Sequence, residues 1–96
     1  MAINIVRIRP EDNVAVATRD IAEGESASSA EGVEVEALEE IPYGNKLALR
    51  EIAAGEPIIK YAELIGHAQR DIRRGERVHT HNVETLEMPD VYVNTT

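Results

Sequence analysis

Apolar and polar residues alternate over short distances along this chain, and turn-forming residues interrupt each run. The clearest alternation places Val33, Val35 and Ala37 on one side and Glu34 and Glu36 on the other. This alternation is typical of a half-buried β-strand. Further short strand-like runs occur at residues 3–9, 14–17, 46–50, 57–61 and 75–83, while residues 62–69 fit a strand or a short helix. The pattern predicts a small, mostly β domain with at most one or two short helices.

A five-residue motif, an acidic residue followed by Ile, two variable residues and Gly, occurs four times, at residues 20–24, 40–44, 51–55 and 71–75. In three of these copies Arg precedes the acidic residue and Glu follows the Gly. We expect the Ile to anchor in the core and the two variable residues to form a tight turn. The Gly is expected to take a positive φ, which bulky residues resist. The motif therefore predicts a compact domain of short strands joined by sharp corners.

The length of 96 residues predicts one domain with a thin core. We assign residues 1–85 to this domain and residues 86–96 to a C-terminal tail. The small polar residues of segment 26–32 show no period and predict an exposed loop. Because the apolar content is aliphatic, we expect stability to depend on Ile, Val, Leu and Ala packing or on a partner covering one face. Self-association of the isolated chain is one such arrangement.

The formal net charge of −8 argues against nucleic acid as a partner, because phosphate binding requires a basic surface. The chain contains no cysteine, so it has no disulfide framework and no thiolate chemistry. No apolar run approaches the roughly 20 residues of a membrane span. The first residues lack the layout of a signal peptide, and we expect a cytoplasmic protein.

His79 and His81 are the candidate chemical groups of the last strand-like run, residues 75–83. In an extended strand they would lie on one face, about 7 Å apart. They could bind a metal, exchange protons, or form only structural hydrogen bonds. Lys46 and Lys60 each follow a corner, where they could bind a carboxylate or simply be solvated. The domain looks incomplete as an enzyme, because no nucleophile with a base and no phosphate-binding loop is evident.

Several phrases in one order resemble the SAF (antifreeze-like, β-clip) domain that begins altronate and galactarate dehydratases. They are Ile41-Pro42-Tyr43-Gly44-Asn45-Lys46-Leu47-Ala48-Leu49, Gly55-Glu56-Pro57-Ile58-Ile59-Lys60-Tyr61 and Gly75-Glu76-Arg77-Val78-His79-Thr80-His81-Asn82, with Asp12–Ala17 and Ile65-Gly66. The resemblance covers about residues 3–85. Two positions depart from the family pattern, since Asn45 replaces a His and Ala62 replaces a Gly.

The resemblance implies a small β-clip subunit that completes the active site of a separate large dehydratase subunit acting on a sugar acid. It implies catalytic roles for His79 and His81, which would also be metal ligands, and substrate contacts from Lys46, Lys60 and Asn82. The implied cofactor is a divalent metal, iron in the altronate branch, held mainly by the large subunit. The alternatives are the small subunit of a sulfolactate sulfo-lyase and a non-catalytic β-clip binding or assembly module.

Overall fold

The computed structural model describes residues 3–85, and these residues form nine short strands and no helix. The strands are β1 (Ile5–Val6), β2 (Val14–Ala17), β3 (Ser26–Ser28), β4 (Glu34–Glu36), β5 (Lys46–Ala48), β6 (Pro57–Lys60), β7 (Glu63–Ala68), β8 (Arg77–Val78) and β9 (Val83–Thr85). The predicted fold class is thereby confirmed, and segment 62–69 is resolved as a strand. Within this part of the chain no helix is long and apolar enough to span a membrane.

The strands form three antiparallel sheets. The central sheet has the order β1-β2-β5-β8, flanked by the hairpin β3-β4 and the sheet β6-β7-β9. The register of the central sheet pairs Lys46 with Val16 on one side and with Val78 on the other. Lys46 therefore lies at the start of β5, between one apolar residue of β2 and one of β8.

The four copies of the acidic-Ile-x-x-Gly motif form the corners and associate in two pairs. Ile21 and Ile41 exchange backbone hydrogen bonds of 2.9 and 2.8 Å, and Ile52 and Ile72 exchange bonds of 2.9 and 2.7 Å. All four Ile side chains are at most 1% exposed. The four corner glycines have φ between 82° and 91°. The expected roles of both residue types are confirmed.

Each corner also contains a buried Ala that the sequence analysis missed. Ala lies three positions before the acidic residue in every copy, and its carbonyl accepts the Gly N–H of the paired corner. The four N–H···O distances are 2.7–2.9 Å, for Gly24 with Ala37, Gly44 with Ala17, Gly55 with Ala68, and Gly75 with Ala48. The repeat is therefore Ala-x-x-acidic-Ile-x-x-Gly, and the small side chain allows two corners to approach closely.

Two buried asparagines attach the flanking strands to the central sheet in the same way. Asn4 accepts a hydrogen bond from the Ser28 N–H at 2.6 Å and donates to the Ser26 carbonyl at 3.0 Å. Asn13 accepts from the Ile59 N–H at 2.8 Å and donates to the Pro57 carbonyl at 2.9 Å. Because these amides satisfy backbone groups of the flanking strands, Asn4 holds β3 in place and Asn13 holds β6, the strand that ends at Lys60.

The core is divided into two apolar clusters, one for each pair of corners. One cluster contains Ile21, Ile41 and Leu47, and the other contains Ile52, Ile58 and Ile72. The alternating residues of β4 behave as predicted, with Val35 buried and both flanking Glu residues exposed. Aliphatic packing thus supplies both clusters, as the composition indicated.

The predicted exposed loop at residues 26–32 was wrong in its first half. Ser26–Ser28 forms β3, and Ala27, Ser28 and Ser29 are buried because β4 and Asn4 hold this segment. Polar composition misled the prediction, since the serines satisfy hydrogen bonds inside the hairpin. The predicted tail, residues 86–96, lies outside the described residues.

Candidate active site

The segment that carries both candidate histidines is a turn. β8 ends at Val78, and the Asn82 side chain closes the following residues into a loop. Its Oδ1 accepts the His79 N–H at 2.9 Å, and its Nδ2 donates to the Arg77 carbonyl at 2.8 Å. The expected continuous strand over residues 75–83, with both histidines on one face, was wrong, because this fully buried amide replaces ladder hydrogen bonds.

Asn82 therefore positions the histidine turn. Its backbone N–H also donates to the His79 carbonyl at 3.0 Å, so the turn is closed by main chain and side chain together. His79, Thr80 and His81 all lie exposed on it. The predicted substrate contact of Asn82 is untested, whereas its structural role is explicit in these hydrogen bonds.

Lys46 and His79 meet in one surface depression. A depression of about 270 Å³ is lined by Lys46, Ile65, His79, Thr80 and Val83. Lys46 comes from β5 and His79 from the end of β8, and the pairing of these strands brings them together. A cation, an imidazole and a hydroxyl thus face one apolar-walled space, which is suitable for a small polar anion.

The electrostatics of this depression depend on two lysines. Burial lowers the pKa of Lys46 from its ordinary value, and the positive charge of Lys60 lowers it further. The Lys60 Nζ lies 4.8 Å from the centre of the Tyr61 ring. In a chain with a net charge of −8, this pair creates a local positive field. An anionic ligand would relieve the repulsion between the two lysines.

His81 lies in different surroundings from His79. The ligand atoms of Glu39, Glu76 and His81 all lie within 4.8 Å of one another. Both carboxylates are already engaged, since Glu39 accepts the Arg77 N–H at 3.1 Å and Glu76 pairs with Arg70 at 2.9 Å. Because both carboxylates already have partners, these three residues offer a divalent cation an incomplete set of ligands. His81 is the exposed member of the set. His79 is outside this group.

The second corner, residues 40–44, departs from the other three, and this departure shapes the site. At the other corners an Arg–Glu ion pair closes the turn, at N···O distances of 3.2, 3.8 and 2.9 Å. The second corner has Glu39 in place of the Arg and Asn45 in place of the Glu. Comparison of the four copies could have identified both positions from sequence.

Thr80, Ile65 and Val83, which line the depression, carried no such signal in the sequence, because their place depends on tertiary packing.

The hairpin turn that carries Lys60 has an unusual backbone. Tyr61 and Ala62 both have positive φ, 58° and 60°, a conformation that Asn and Gly adopt more readily. The Asp12 carboxylate holds this turn by accepting the Ala62 N–H at 2.7 Å and the Arg9 N–H at 3.1 Å. Burial raises the pKa of Asp12, but hydrogen bonds from backbone amides, led by Ala62, outweigh burial and lower it overall.

The fold and the depression define the chain as a small all-strand β-clip domain with a cationic site at its surface. Residues 3–86 match the family model described as the altronate/galactarate dehydratase SAF domain. Because this match spans most of the 96 residues, the chain belongs to that family. This membership confirms the resemblance drawn from the sequence motifs.

Curated relatives divide into two kinds. The altronate dehydratases of Bacillus subtilis and Escherichia coli are 43% and 42% identical over 82 and 80 residues. These matches cover 85% and 83% of this chain but 16% of each relative. The (2R)-sulfolactate sulfo-lyase subunit alpha of Chromohalobacter salexigens is 47% identical over 53 residues, covering 55% of this chain and 56% of that subunit. The family is therefore one of dehydratases and lyases.

Proposed function

We propose that this chain is the small subunit of a sugar-acid dehydratase, an altronate dehydratase-like hydro-lyase. It would complete the active site of a separate large catalytic subunit. The observation that carries the proposal is the depression shared by Lys46 and His79, with the charge of Lys60 acting on Lys46. Family membership supports the reaction class, and the relatives named as subunit alpha of a sulfo-lyase support the proposal of a partner subunit.

The lysines are proposed to bind the carboxylate of a 2-hydroxy acid. Dehydration removes a proton next to that carboxylate, and negative charge then develops on the carboxylate oxygens. Lys46 and Lys60 would stabilise this charge, and their mutual repulsion favours the anion-bound state. Because the rest of the chain is acidic, this attraction acts only at short range.

His79 is proposed to exchange a proton with the substrate. Elimination requires a base for the carbon-bound proton and an acid for the departing hydroxide. An imidazole is suited to either task near neutral pH. The large subunit would supply the complementary group, since the described residues place no second base inside the depression.

The expected divalent metal, iron in the altronate branch, is proposed to be held mainly by the large subunit. When bound, such a metal would stabilise negative charge on the reacting oxygens. From this chain, His81 is the side chain best placed to reach it, beside Glu39 and Glu76. The initial hypothesis that His79 and His81 ligate together is less favoured, because they face different surroundings.

A second candidate function is the small subunit of a sulfolactate sulfo-lyase. The observation in its favour is that two relatives named as subunit alpha of that enzyme are similar to this chain, at 47% and 48% identity over 53 and 46 residues. Their matches cover 56% and 69% of those subunits, a larger share than the 16% of each altronate dehydratase. The depression suits either substrate, because both are 2-hydroxy acids.

The test is reconstitution with a large subunit. The full chain would be co-expressed with the protein of the same organism that matches the remainder of the altronate dehydratases. The complex would then be assayed separately with altronate for a keto-deoxy acid and with sulfolactate for sulfite. We expect keto-deoxy acid from the complex and none from either chain alone. Sulfite release would favour the second candidate, and absence of any complex would contradict the proposal.

A further inference from the structure

Exposed apolar side chains are concentrated in one groove beside the candidate site. Within residues 3–85, six large apolar side chains are exposed, and four of them line a groove of about 420 Å³. These four are Val6, Ile8, Tyr43 and Tyr61, and Val16 and Thr18 complete the walls. We call this surface the tyrosine groove. Its lining carries no charged side chain, although 29% of the chain is charged.

Backbone hydrogen bonds hold the segments that carry the two tyrosines, and both side chains are exposed. Tyr43 is 71% exposed on the second corner, and its N–H donates to Asp20 Oδ1 at 2.8 Å. Tyr61 is 48% exposed on the hairpin turn that Asp12 holds at positive φ. A fixed backbone lowers the conformational entropy that binding costs, and tyrosine is enriched at protein interfaces. These features are typical of interface anchors.

The tyrosine groove lies next to the Lys46 depression. Val16, in the groove wall, pairs directly with Lys46 across β2 and β5. Tyr61 contacts Lys60 through its ring, at 4.8 Å from Nζ to the ring centre. A protein seated in the groove would therefore also face the two lysines. This adjacency is what an active site shared between two chains requires.

We infer that the tyrosine groove is the docking surface for the large catalytic subunit. The inference rests on the proposed function and names the face through which the two subunits meet. The partner surface would present apolar side chains to Val6 and Ile8 and hydrogen-bond acceptors to the two tyrosine hydroxyls. In the altronate dehydratases, the matched segment is 16% of the chain, so a much larger body is available to cover this face. A second copy of this chain is the competing occupant.

The test compares two isoleucines of similar exposure. Ile8 lies in the groove at 44% exposure, whereas Ile3, at 49%, lines a separate depression beside the β3–β4 hairpin. The dissociation constant of the reconstituted complex would be measured by calorimetry for Ile8→Ser, Tyr43→Ser and Ile3→Ser. We expect Ile8→Ser and Tyr43→Ser each to raise it by about tenfold or more, and Ile3→Ser to change it less than about twofold. Circular dichroism would verify that each variant is folded.

Measurement of kcat distinguishes a residue that only docks the large subunit from one that takes part in catalysis. At saturating large subunit, Ile8→Ser should restore the kcat of the unaltered complex, because Ile8 is outside the lysine and histidine site. The inference is overturned if both groove variants bind as tightly as the unaltered chain, and the proposed function then still stands. It is also overturned if the groove variants abolish a dimer of this chain while the large subunit binds them normally. If the unaltered chain binds no large subunit, the proposed function itself fails.

Discussion

Lys46 is held at the point where the two halves of the molecule join, half-buried between Val16 and Val78. Burial there disfavours its charge, and the nearby Lys60 disfavours it further. A lysine with a structural role alone would bury its aliphatic stem here and keep its ammonium group in water. The arrangement is more easily explained by a ligand that restores the lost stabilisation. The proposed role of Lys46 is therefore supported by its burial and by the nearby Lys60 charge, and not by its position in the sequence alone.

Removal of the Lys60 charge should raise the pKa of Lys46 toward its ordinary value of 10.5. Lys60→Met removes the repulsion, whereas Lys60→Arg retains it and serves as the control. NMR titration of the Lys46 side chain would measure the change. Equal Lys46 pKa values in the unaltered protein and in Lys60→Met would show that Lys60 does not act on this site.

At the scale of elements, the sequence contained enough information to predict the corners but not the histidine turn. Buried Ile and positive-φ Gly follow from local sterics, which a repeated motif reveals. The turn after β8 depends on one buried side chain, Asn82, and the alternation of residues 75–83 concealed it. Asn is a common turn former, so its position could have suggested the end of the strand. The meeting of Lys46 with His79 depends on strand pairing between distant segments, which no local pattern specifies.

Two corner glycines provide a matched pair of substitutions. A Cβ on Gly55 would meet no heavy atom within 4 Å, so Gly55→Ala should cost only the positive-φ penalty of about 1–2 kcal/mol. A Cβ on Gly75 would collide with the Glu36 carbonyl oxygen as well. We therefore expect Gly75→Ala to cost about 2–5 kcal/mol. Urea unfolding would compare the two variants, and equal losses would refute the predicted close approach of Gly75 to β4.

The Asp12 carboxylate should make the β6–β7 turn sensitive to acid. Because its folded pKa lies below the ordinary value of 3.8, its stabilising effect is complete above that value. This contribution is lost as the pH falls through the folded pKa. Asp12→Asn should lower stability at neutral pH and reduce the acid dependence below pH 3.8. Thermal unfolding between neutral and acidic pH would measure both, and an unchanged pH profile would contradict this role.

At the scale of the whole molecule, the structure is a rigid frame that presents one cationic depression and one apolar groove side by side. Three corners carry Arg–Glu pairs, whereas the second corner, residues 40–44, lacks that pair and leads directly into Lys46. Aliphatic packing and the hydrogen bonds of buried polar side chains together hold this frame. We propose that a second, larger chain covers what the frame leaves exposed and supplies the remaining catalytic groups.

We propose that this chain contributes Lys46 and His79 to an active site shared with a large subunit. The most direct measurement is kcat/KM of the reconstituted complex with Lys46→Met and His79→Gln, alongside the dissociation constant of the two subunits. We expect a loss of about 10²-fold or more in kcat/KM for each variant, with subunit affinity unchanged within about threefold. Full activity in both variants, with the complex intact, would contradict it.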